Sequence, residues 1–579
     1  MKTISLHIIL GATLLPLLSS TAFAQTSTFQ FTDVTASAGL AAEPYGGPTR
    51  HNLGVVWVDV NNDGHQDIFA TNGYDVTESG ILRPHLYLNN GDASFTLADN
   101  LLPALENLEY VGASAADYDR DGDMDIFVYT ANENFDPFSL EGNRYGGPAN
   151  IMLKNNFVEN GNVSGDGQFN DAAIEAGLTG CTPRFAAMVL ANDPNAKHTC
   201  IQTRSAFFFD YNLDGWLDLY LAQIVVNLAS NPDPVLDALG KRANKDVIMR
   251  NQGDGTFVPD INALRAGTAT QRAALVARGG HLNDDIWPDV YVGNVGGPNL
   301  TPAIDLKDAV LINNGAGALT LSQNHIGIDT PAAMGIAMGD VNGDGLFDVY
   351  VTDLVEHPAN GTDPNRRGNT FYLNHEEGFS QNLAKAMNID FTTSRNINAI
   401  VSWGTNFADF DQDGAPDLFV GAGLNNRDAH IYTDMETLTP KLAAELPAVG
   451  VRGSAVADYD QDGDPDLLLI NQDGGLQLYR NDTVNPSGST LIVTPIATLS
   501  NPDSIGLRAD LYTTSGKRIS QQITGGNSSF SQDEGRKLFF GLGGETIDRL
   551  EIRWPHPDTP TQIIDSINGS TLTITEPAQ

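Results

Sequence analysis

Short apolar runs recur along the chain, each leading into an acidic stretch. Val55-Val56-Trp57-Val58 runs into Asp59, Ala113-Ser114-Ala115-Ala116 into Asp117 and Ala206-Phe207-Phe208-Phe209 into Asp210. Gly335-Ile336-Ala337-Met338 and Ser454-Ala455-Val456-Ala457 lead into Asp340 and Asp458 in the same way. A second run follows each stretch, as in Ile68-Phe69-Ala70, Ile126-Phe127-Val128, Leu219-Tyr220-Leu221, Val349-Tyr350-Val351 and Leu467-Leu468-Leu469. Runs this short, rich in β-branched and aromatic residues and separated by Asp, Asn and Gly, predict strands joined into hairpins. A third strand is predicted at Leu86–Gly91, Ile248–Asn251 and Phe371–Asn374, and a fourth near Phe95, Phe169, Phe257 and Phe379.

The acidic stretches share one nine-residue pattern, Asp-x-Asp/Asn-x-Asp-Gly-x-x-Asp. Its first positions fall at 59, 117, 210, 340, 409 and 458, with a damaged copy starting at His281. Four strands per unit, repeated with insertions, predict an all-β fold: a seven-bladed β-propeller over residues 25–486. The seventh unit lacks a fourth strand of its own, and Phe29–Val34 resembles one, so the N-terminus is expected to close blade seven and hide both open edges. After residue 486 the pattern stops. Strands at Leu491–Thr494, Leu507–Tyr512, Lys537–Gly541 and Leu550–Trp554 predict a separate small all-β domain over 487–579.

The spacing of the pattern carries its chemistry. Ca²⁺ takes six to eight oxygens, and side chains at positions 1, 3 and 5 of a tight loop can converge on it, with a glycine at 6 permitting the turn. Position 7 offers a backbone carbonyl and the Asp at 9 closes the shell. The candidate ligands are Asp59, Asn61, Asp63, His65 and Asp67 in the first loop, and Asp117, Asp119, Asp121, Asp123 and Asp125 in the second. The third supplies Asp210, Asn212, Asp214, Trp216 and Asp218, and the fifth Asp340, Asn342, Asp344, Leu346 and Asp348. The sixth supplies Asp409, Asp411, Asp413, Ala415 and Asp417, and the seventh Asp458, Asp460, Asp462, Asp464 and Asp466. An EF-hand would carry Glu at position 12 between helices, and neither is present. Turn propensity of Asp, Asn and Gly explains one such loop but not six with the same carboxylate spacing. About six Ca²⁺ sites are expected; Mg²⁺ fits less well because it demands strict octahedral geometry. In the fourth copy, His281, Asn283, Asp285, Ile286 and Asp289 have lost the first carboxylate and the glycine, so no ion is expected there.

Composition sharpens this picture. The chain has 72 acidic against 32 basic residues and a net charge of −40, which argues against nucleic acid as a partner. With 41% hydrophobic residues it is too apolar for a disordered acidic chain. Lys2, the apolar stretch Ile8–Leu18 and Ala22-Phe23-Ala24 read as an export signal over 1–24, with no transmembrane segment in the mature chain and a periplasmic or extracellular destination. Cys181 and Cys200 are expected to pair there as a disulfide; a metal or redox pair would want closer spacing and histidines.

The aspartate loops with their apolar flanks resemble FG-GAP or VCBS repeats, the blade units of integrin α-chain heads. The tail is similar to the ASPIC/UnbV domain: Ile505-Gly506-Leu507-Arg508-Ala509, Gly525 to Gln532, Phe540-Gly541-Leu542-Gly543 and Ile552-Arg553-Trp554-Pro555. The combination resembles the cartilage acidic protein family in its bacterial form, apart from details such as Leu507 where that family usually has Ala. The resemblance implies calcium in the blades and an exported protein.

Three function classes follow. The first is a calcium-braced scaffold binding a protein or glycan, using the insertions at 131–204 and 222–247 or the tail domain. Such insertions are also where sequence drift is tolerated; the second, at 233–239, reads as a short helix. The second class is a propeller enzyme, though neither Gly-x-Ser-x-Gly nor His-Glu-x-x-His occurs. His281 reads as a decayed ligand rather than a catalytic residue, and Trp216 and Trp287 as packing residues rather than sugar platforms. The third class is a structural surface or matrix component.

Overall fold

The computed structural model describes residues 28–578 apart from 41–49, 52–53, 72–73, 76–82, 106–107, 132–148, 159–167, 182–199, 201–202, 224–245, 261, 265–273, 295–307, 316, 325–332, 357–367, 392–398, 423–427, 449, 472–474, 486–487, 527–530 and 534. The export signal at 1–24, the helix at 233–239 and most of the two insertions lie outside the described residues.

The strands flanking each acidic loop are buried on both faces. Thr203–Phe209 and Asp218–Gln223, for example, contain no partly exposed residue. Each hairpin is sandwiched between neighbouring units, which is why its apolar runs are continuous rather than alternating. Unit one is an antiparallel sheet of Val55–Val58, Asp67–Ala70, His85–Asn89 and Phe95–Leu97. Unit two follows with Glu109–Ala116, Asp125–Ala131, Ile151–Asn155 and Phe169–Asp171. Unit three pairs its two strands with Val247–Asn251 and Phe257–Pro259, and unit four comprises Ala274–Gly280, Asp289–Asn294, Ala309–Asn313 and Leu319–Leu321. The result is an all-β propeller.

Units five and six depart from the simple scheme. Unit five has Ala333–Gly339, Asp348–Glu356 and Thr370–Tyr372; unit six has Ala399–Ala408, Asp417–Ala422, Ala429–Thr433 and Lys441–Leu446. The far end of Asp348–Glu356 pairs with the start of Ala399–Ala408, so the two form one sheet. The fourth strand expected near Phe379 does not form. Past the His375–Gly378 turn (3.2 and 2.8 Å) Ser380 N–H still donates to Leu373 O (2.8 Å), but the N–H groups of Leu373 and Phe371 go to side chains, Ser380 Oγ (3.0 Å) and Asn382 Oδ1 (3.1 Å).

Unit seven comprises Val451–Ala457, Asp466–Asn471 and Gly475–Asn481, and its fourth strand is Phe31–Asp33, with Phe31 opposite Asn481 and Asp33 opposite Tyr479. First and last units therefore share a boundary.

A repeated hydrogen bond ties the units together. An Asn ends the third strand of six units, and its Nδ2 donates to the carbonyl at position 2 of the preceding unit's acidic loop. Asn155 reaches Val60 O (2.8 Å), Asn251 Tyr118 O (2.8 Å), Asn313 Tyr211 O (2.7 Å), Asn374 Leu282 O (2.9 Å) and Asn481 Phe410 O (2.8 Å). Asn89 of unit one reaches Tyr459 O of unit seven at 3.0 Å, so the relay runs across the join between the chain's two ends. Unit six carries Thr433 in this place. Each of these Asn side chains is at most 4% exposed, and truncation would strand a buried carbonyl. Asn89→Ala is expected to cost about 2–4 kcal/mol, read as a lower urea midpoint, whereas Asn90→Ala at its exposed neighbour leaves the midpoint within error.

The C-terminal strands form two sheets: Leu538–Gly541, Thr490–Ile496 and Thr571–Thr575 in one, and Arg518–Gln522, Arg508–Thr513, Ile547–Arg553 and Gln562–Ile564 in the other. They enclose Leu491, Leu511, Phe540, Leu550 and Trp554, in a cluster continuous with Phe207 and Phe208 of unit three. The tail's sheets are its own, but it is packed onto the propeller rather than free-standing.

Its connecting segment enters the centre of the ring. Inner strands of propeller blades present unpaired backbone edges to the central channel. Gln532 pairs through its backbone with Val55 and Trp57 of unit one (2.9 and 3.2 Å), while its side-chain amide pairs with the N–H and carbonyl of Ala115 of unit two (2.7 and 3.0 Å). Asp533 accepts from Val456 N–H of unit seven (2.7 Å) and Asn406 Nδ2 of unit six (3.0 Å). Gly525 bridges to Phe208 of unit three, and Gln522 accepts the His281 N–H of unit four at 2.9 Å. The segment is a plug that completes the inner edges.

Candidate metal centres at the hairpin loops

Each complete loop wraps its backbone around its own aspartates. In five of the six the carboxylate at position 1 accepts the N–H groups of positions 5 and 6, as at Asp59 from Asp63 (3.1 Å) and Gly64 (2.9 Å), and at Asp210 from Asp214 (3.1 Å) and Gly215 (2.8 Å), while Asp458 accepts from Gly463 (3.2 Å). The glycine at position 6 has φ between 85° and 102° in all six complete loops, where a Cβ would be strained. Ile286 holds that place in the fourth copy and keeps a negative φ.

The aspartate at position 9 opens the second strand. Its Oδ1 accepts the N–H of the third-strand Asn at 2.8 Å in every unit that has one, so Asp67, Asp125, Asp218, Asp348 and Asp466 bind two strands together. Asp289 of the fourth copy does the same with Asn313 (2.8 Å), which is why that unit keeps its shape without a complete loop.

Where position 3 is Asp, three carboxylates converge. Oxygens of Asp117, Asp119 and Asp125, of Asp409, Asp411 and Asp417, and of Asp458, Asp460 and Asp466 each gather within 4.8 Å. Positions 1, 3 and 9 meet. The carboxylate at position 5 is turned to the N–H at position 7, as in Asp63 to His65 (2.8 Å), Asp121 to Asp123 (3.0 Å), Asp214 to Trp216 (3.0 Å), Asp344 to Leu346 (2.8 Å), Asp413 to Ala415 (2.8 Å) and Asp462 to Asp464 (3.3 Å). In loops one, three and five the Asn at position 3 (Asn61, Asn212, Asn342) is paired with the Asp at position 5 at 2.8–2.9 Å.

These carboxylates are held above their ordinary range. Burial, then neighbouring acids, pushes Asp117 up to about 7; burial, then Asp214, pushes Asp210 up to about 8. Burial followed by Asp462 takes Asp464 up to about 9, and Asp125, Asp409 and Asp466 are raised well above the carboxylate range from the same causes. In the second loop, Oδ1 of Asp119 and Oδ2 of Asp125 are buried with no donor among the described residues. All-oxygen donors, several of them anionic, packed within a few ångströms and short of hydrogens, fit a hard divalent cation.

The remaining candidates have structural places. Trp216 and Trp287 lie against the turn glycines Gly253 and Gly315, where an added Cβ would stand 3.0 and 2.7 Å from the indoles, so both pack against their own units. His65 covers Gly91 likewise, at 2.9 Å. His281 is 1% exposed, its Nε2 hydrogen-bonded to Gly506 O of the tail at 2.8 Å, and burial holds it down to about 4. The fourth loop is thus a docking point for the tail. Beside it, Arg553 pairs with Asp284 (2.7 Å) and Asp510 (3.0 Å), and Arg508 donates to Gly345 O of the fifth loop. Sequence reasoning missed the relay asparagines and these tail arginines; the recurring Asn at the end of third strands was the available signal.

Cys181 and Cys200 are joined as a disulfide. No described helix is long and apolar enough to cross a membrane.

Comparison with known proteins agrees with this architecture. FG-GAP-like repeats match residues 59–128 and 281–351, and an ASPIC and UnbV domain matches 497–579. The chain thus carries FG-GAP-like repeats in a β-propeller and a C-terminal UnbV domain. No curated protein matches it in sequence. Among solved structures it is similar to the exotype rhamnogalacturonan lyase YesX (14% identity over 76% of this chain and 74% of that one, TM-score 0.41). YCF48 bound to D1 peptide is similar at 10% identity over 80% and 100% (TM-score 0.39), and the Dos1 propeller at 9% over 75% and 93% (TM-score 0.34).

Proposed function

We propose that this chain is an exported, seven-bladed, calcium-loaded propeller, similar to the cartilage acidic protein family, that holds a protein or glycan ligand without transforming it. The observation that carries the reading is the convergence of carboxylates at positions 1, 3 and 9 in three of the loops. Calcium supplies the missing positive charge and pins the hairpins. Extracellular modules of this kind bind it with Kd of about 10⁻⁴–10⁻³ M.

The chain's topology favours one face for the ligand. Metal loops join first strands to second, so the plug and tail occupy that face. Connections between second and third strands start from the opposite face, and 132–148 and 224–245 are among them. The Cys181–Cys200 disulfide lies in a connection that leaves from that face as well. Among the described residues the tail is bonded to acidic loops instead, as at Asp117, His281 and Gly345.

Immobilised chain should capture a ligand from a glycan array or a panel of purified surface proteins with calcium present and release it with EDTA. Deleting 132–148 should abolish capture while leaving the melting temperature unchanged. Chemical conversion of the captured ligand would sink the non-catalytic reading; capture indifferent to EDTA would sink the role of calcium in it.

A further inference from the structure

Loop two differs from the other complete loops because a cation of its own unit is lodged in it. Lys154, on the third strand, sets its Nζ against Oδ2 of Asp119 and 3.0 Å from Oδ2 of Asp121, positions 3 and 5 of the loop. The corresponding residues elsewhere cannot do this: Leu88, Ile312 and Leu373 are uncharged, Arg250 is exposed, and Arg480 turns to Asp482 at 2.9 Å. Yet the ammonium satisfies only one side of the cluster. Asp119 Oδ1 and Asp125 Oδ2 remain buried without a donor among the described residues, Asp125 is 0% exposed, and both side chains belong to the group that converges within 4.8 Å with Asp117.

We propose that loop two is a lysine-gated calcium site, filled last, in which the ion enters as the Lys154 ammonium leaves Asp119 and Asp121. The inference rests on the calcium reading above. An ammonium and a divalent ion sharing two carboxylates repel each other strongly in a partly buried cluster, so occupancy is exclusive and the intrinsic affinity is reduced by the work of displacing Lys154. The displaced side chain has solvent to go to, being 23% exposed in place. The gate also stands where the tail is fastened: the Asp117 N–H donates to Asp503 Oδ2 at 2.8 Å, and Asp503 is paired with Arg536. Late filling of this loop therefore reports to the plug.

The test is calorimetric titration of the metal-stripped full chain with calcium alone. Wild type should show one site weaker than the rest by on the order of tenfold. Lys154→Met should move that site into the tight class, Lys154→Arg should leave it weak, and Lys154→Gln, which keeps a hydrogen-bond donor, gives the same gain should Lys154→Met not fold. Variants without the charge that bind calcium as wild type does, or more weakly, overturn the gate while leaving the calcium reading intact. Absence of calcium binding in every chain overturns that underlying reading instead.

Discussion

Stripping the chain with EDTA at pH 8 is expected to lower its melting temperature by on the order of 10–20 °C, and the deficit should shrink steadily as the buffer is taken to pH 5.5. Each ion held at a hundred times its Kd contributes about 2.7 kcal/mol, and several loops act together. The pH dependence follows from the carboxyls. Asp117 and Asp210 are pushed up to about 7 and about 8 by burial and then by neighbouring acids. Their folded pKa lies above the unfolded one, so between about pH 4 and pH 8 the folded, metal-free chain holds protons that the unfolded chain has released. Stability of the stripped chain is therefore present at low pH and lost as pH rises through that window. On the calcium reading the ion takes the charged form and reverses the trend, since acidification expels it. Calorimetric melts at a series of pH values, with calcium and with EDTA, give two curves that converge on the acid side. Parallel curves, or no difference at pH 8, would remove the metal from the account.

The acidic loops were legible because their chemistry is local. Asp59 to Asp67 spells out a turn, its glycine and its candidate ligands within nine residues, and the flanking runs announce the strands. Closure by Phe31–Asp33 could be anticipated because an unpaired edge in unit seven asks for a strand and the N-terminus offers one. The roles within the loop were less accessible. Positions 3 and 5 look equivalent as letters, and only the backbone path sends Asp63 or Asp121 to the N–H at position 7 and leaves position 3 to meet positions 1 and 9.

What the letters concealed is whatever bonds to backbone. The relay asparagines donate to carbonyls of Tyr459, Val60, Tyr118, Tyr211, Leu282 and Phe410, residues that share no side-chain property. The strand expected near Phe379 failed because the side chains of Ser380 and Asn382 took third-strand N–H groups that a ladder would have paired with backbone carbonyls. His281 reads as a decayed ligand, yet it is buried and bonded to Gly506, so the fourth loop serves as a domain contact. The tail's middle segment, polar and glycine-rich, has the composition of a loop, and nothing in it names the six inner strands it would meet.

That segment supports the second large effect. Gly525→Ala is expected to expel the plug and to cost about 3–5 kcal/mol. An added Cβ at Gly525 would overlap the carbonyl oxygen of Phe208 and stand 2.8 Å from its carbon, backbone that cannot give way within a fully buried strand. The neighbouring Gly526 is nearly as tight, 2.7 Å from the Phe207 Cβ, so the chain cannot escape by sliding one residue along. Withdrawal unmakes the bonds that Gln532 and Asp533 form with units one, two, six and seven. Amide exchange reads this directly: the N–H groups of Trp57, Ala115 and Val456, bonded to the plug at 3.2, 2.7 and 2.7 Å, should exchange slowly in wild type and quickly in the variant. Gly535→Ala is the control, because nothing lies within 3.8 Å of its added Cβ and the same amides should stay protected. Equal protection in Gly525→Ala and wild type would mean that the inner edges are closed without the tail, and that the tail is a passenger on the ring rather than the part that completes it.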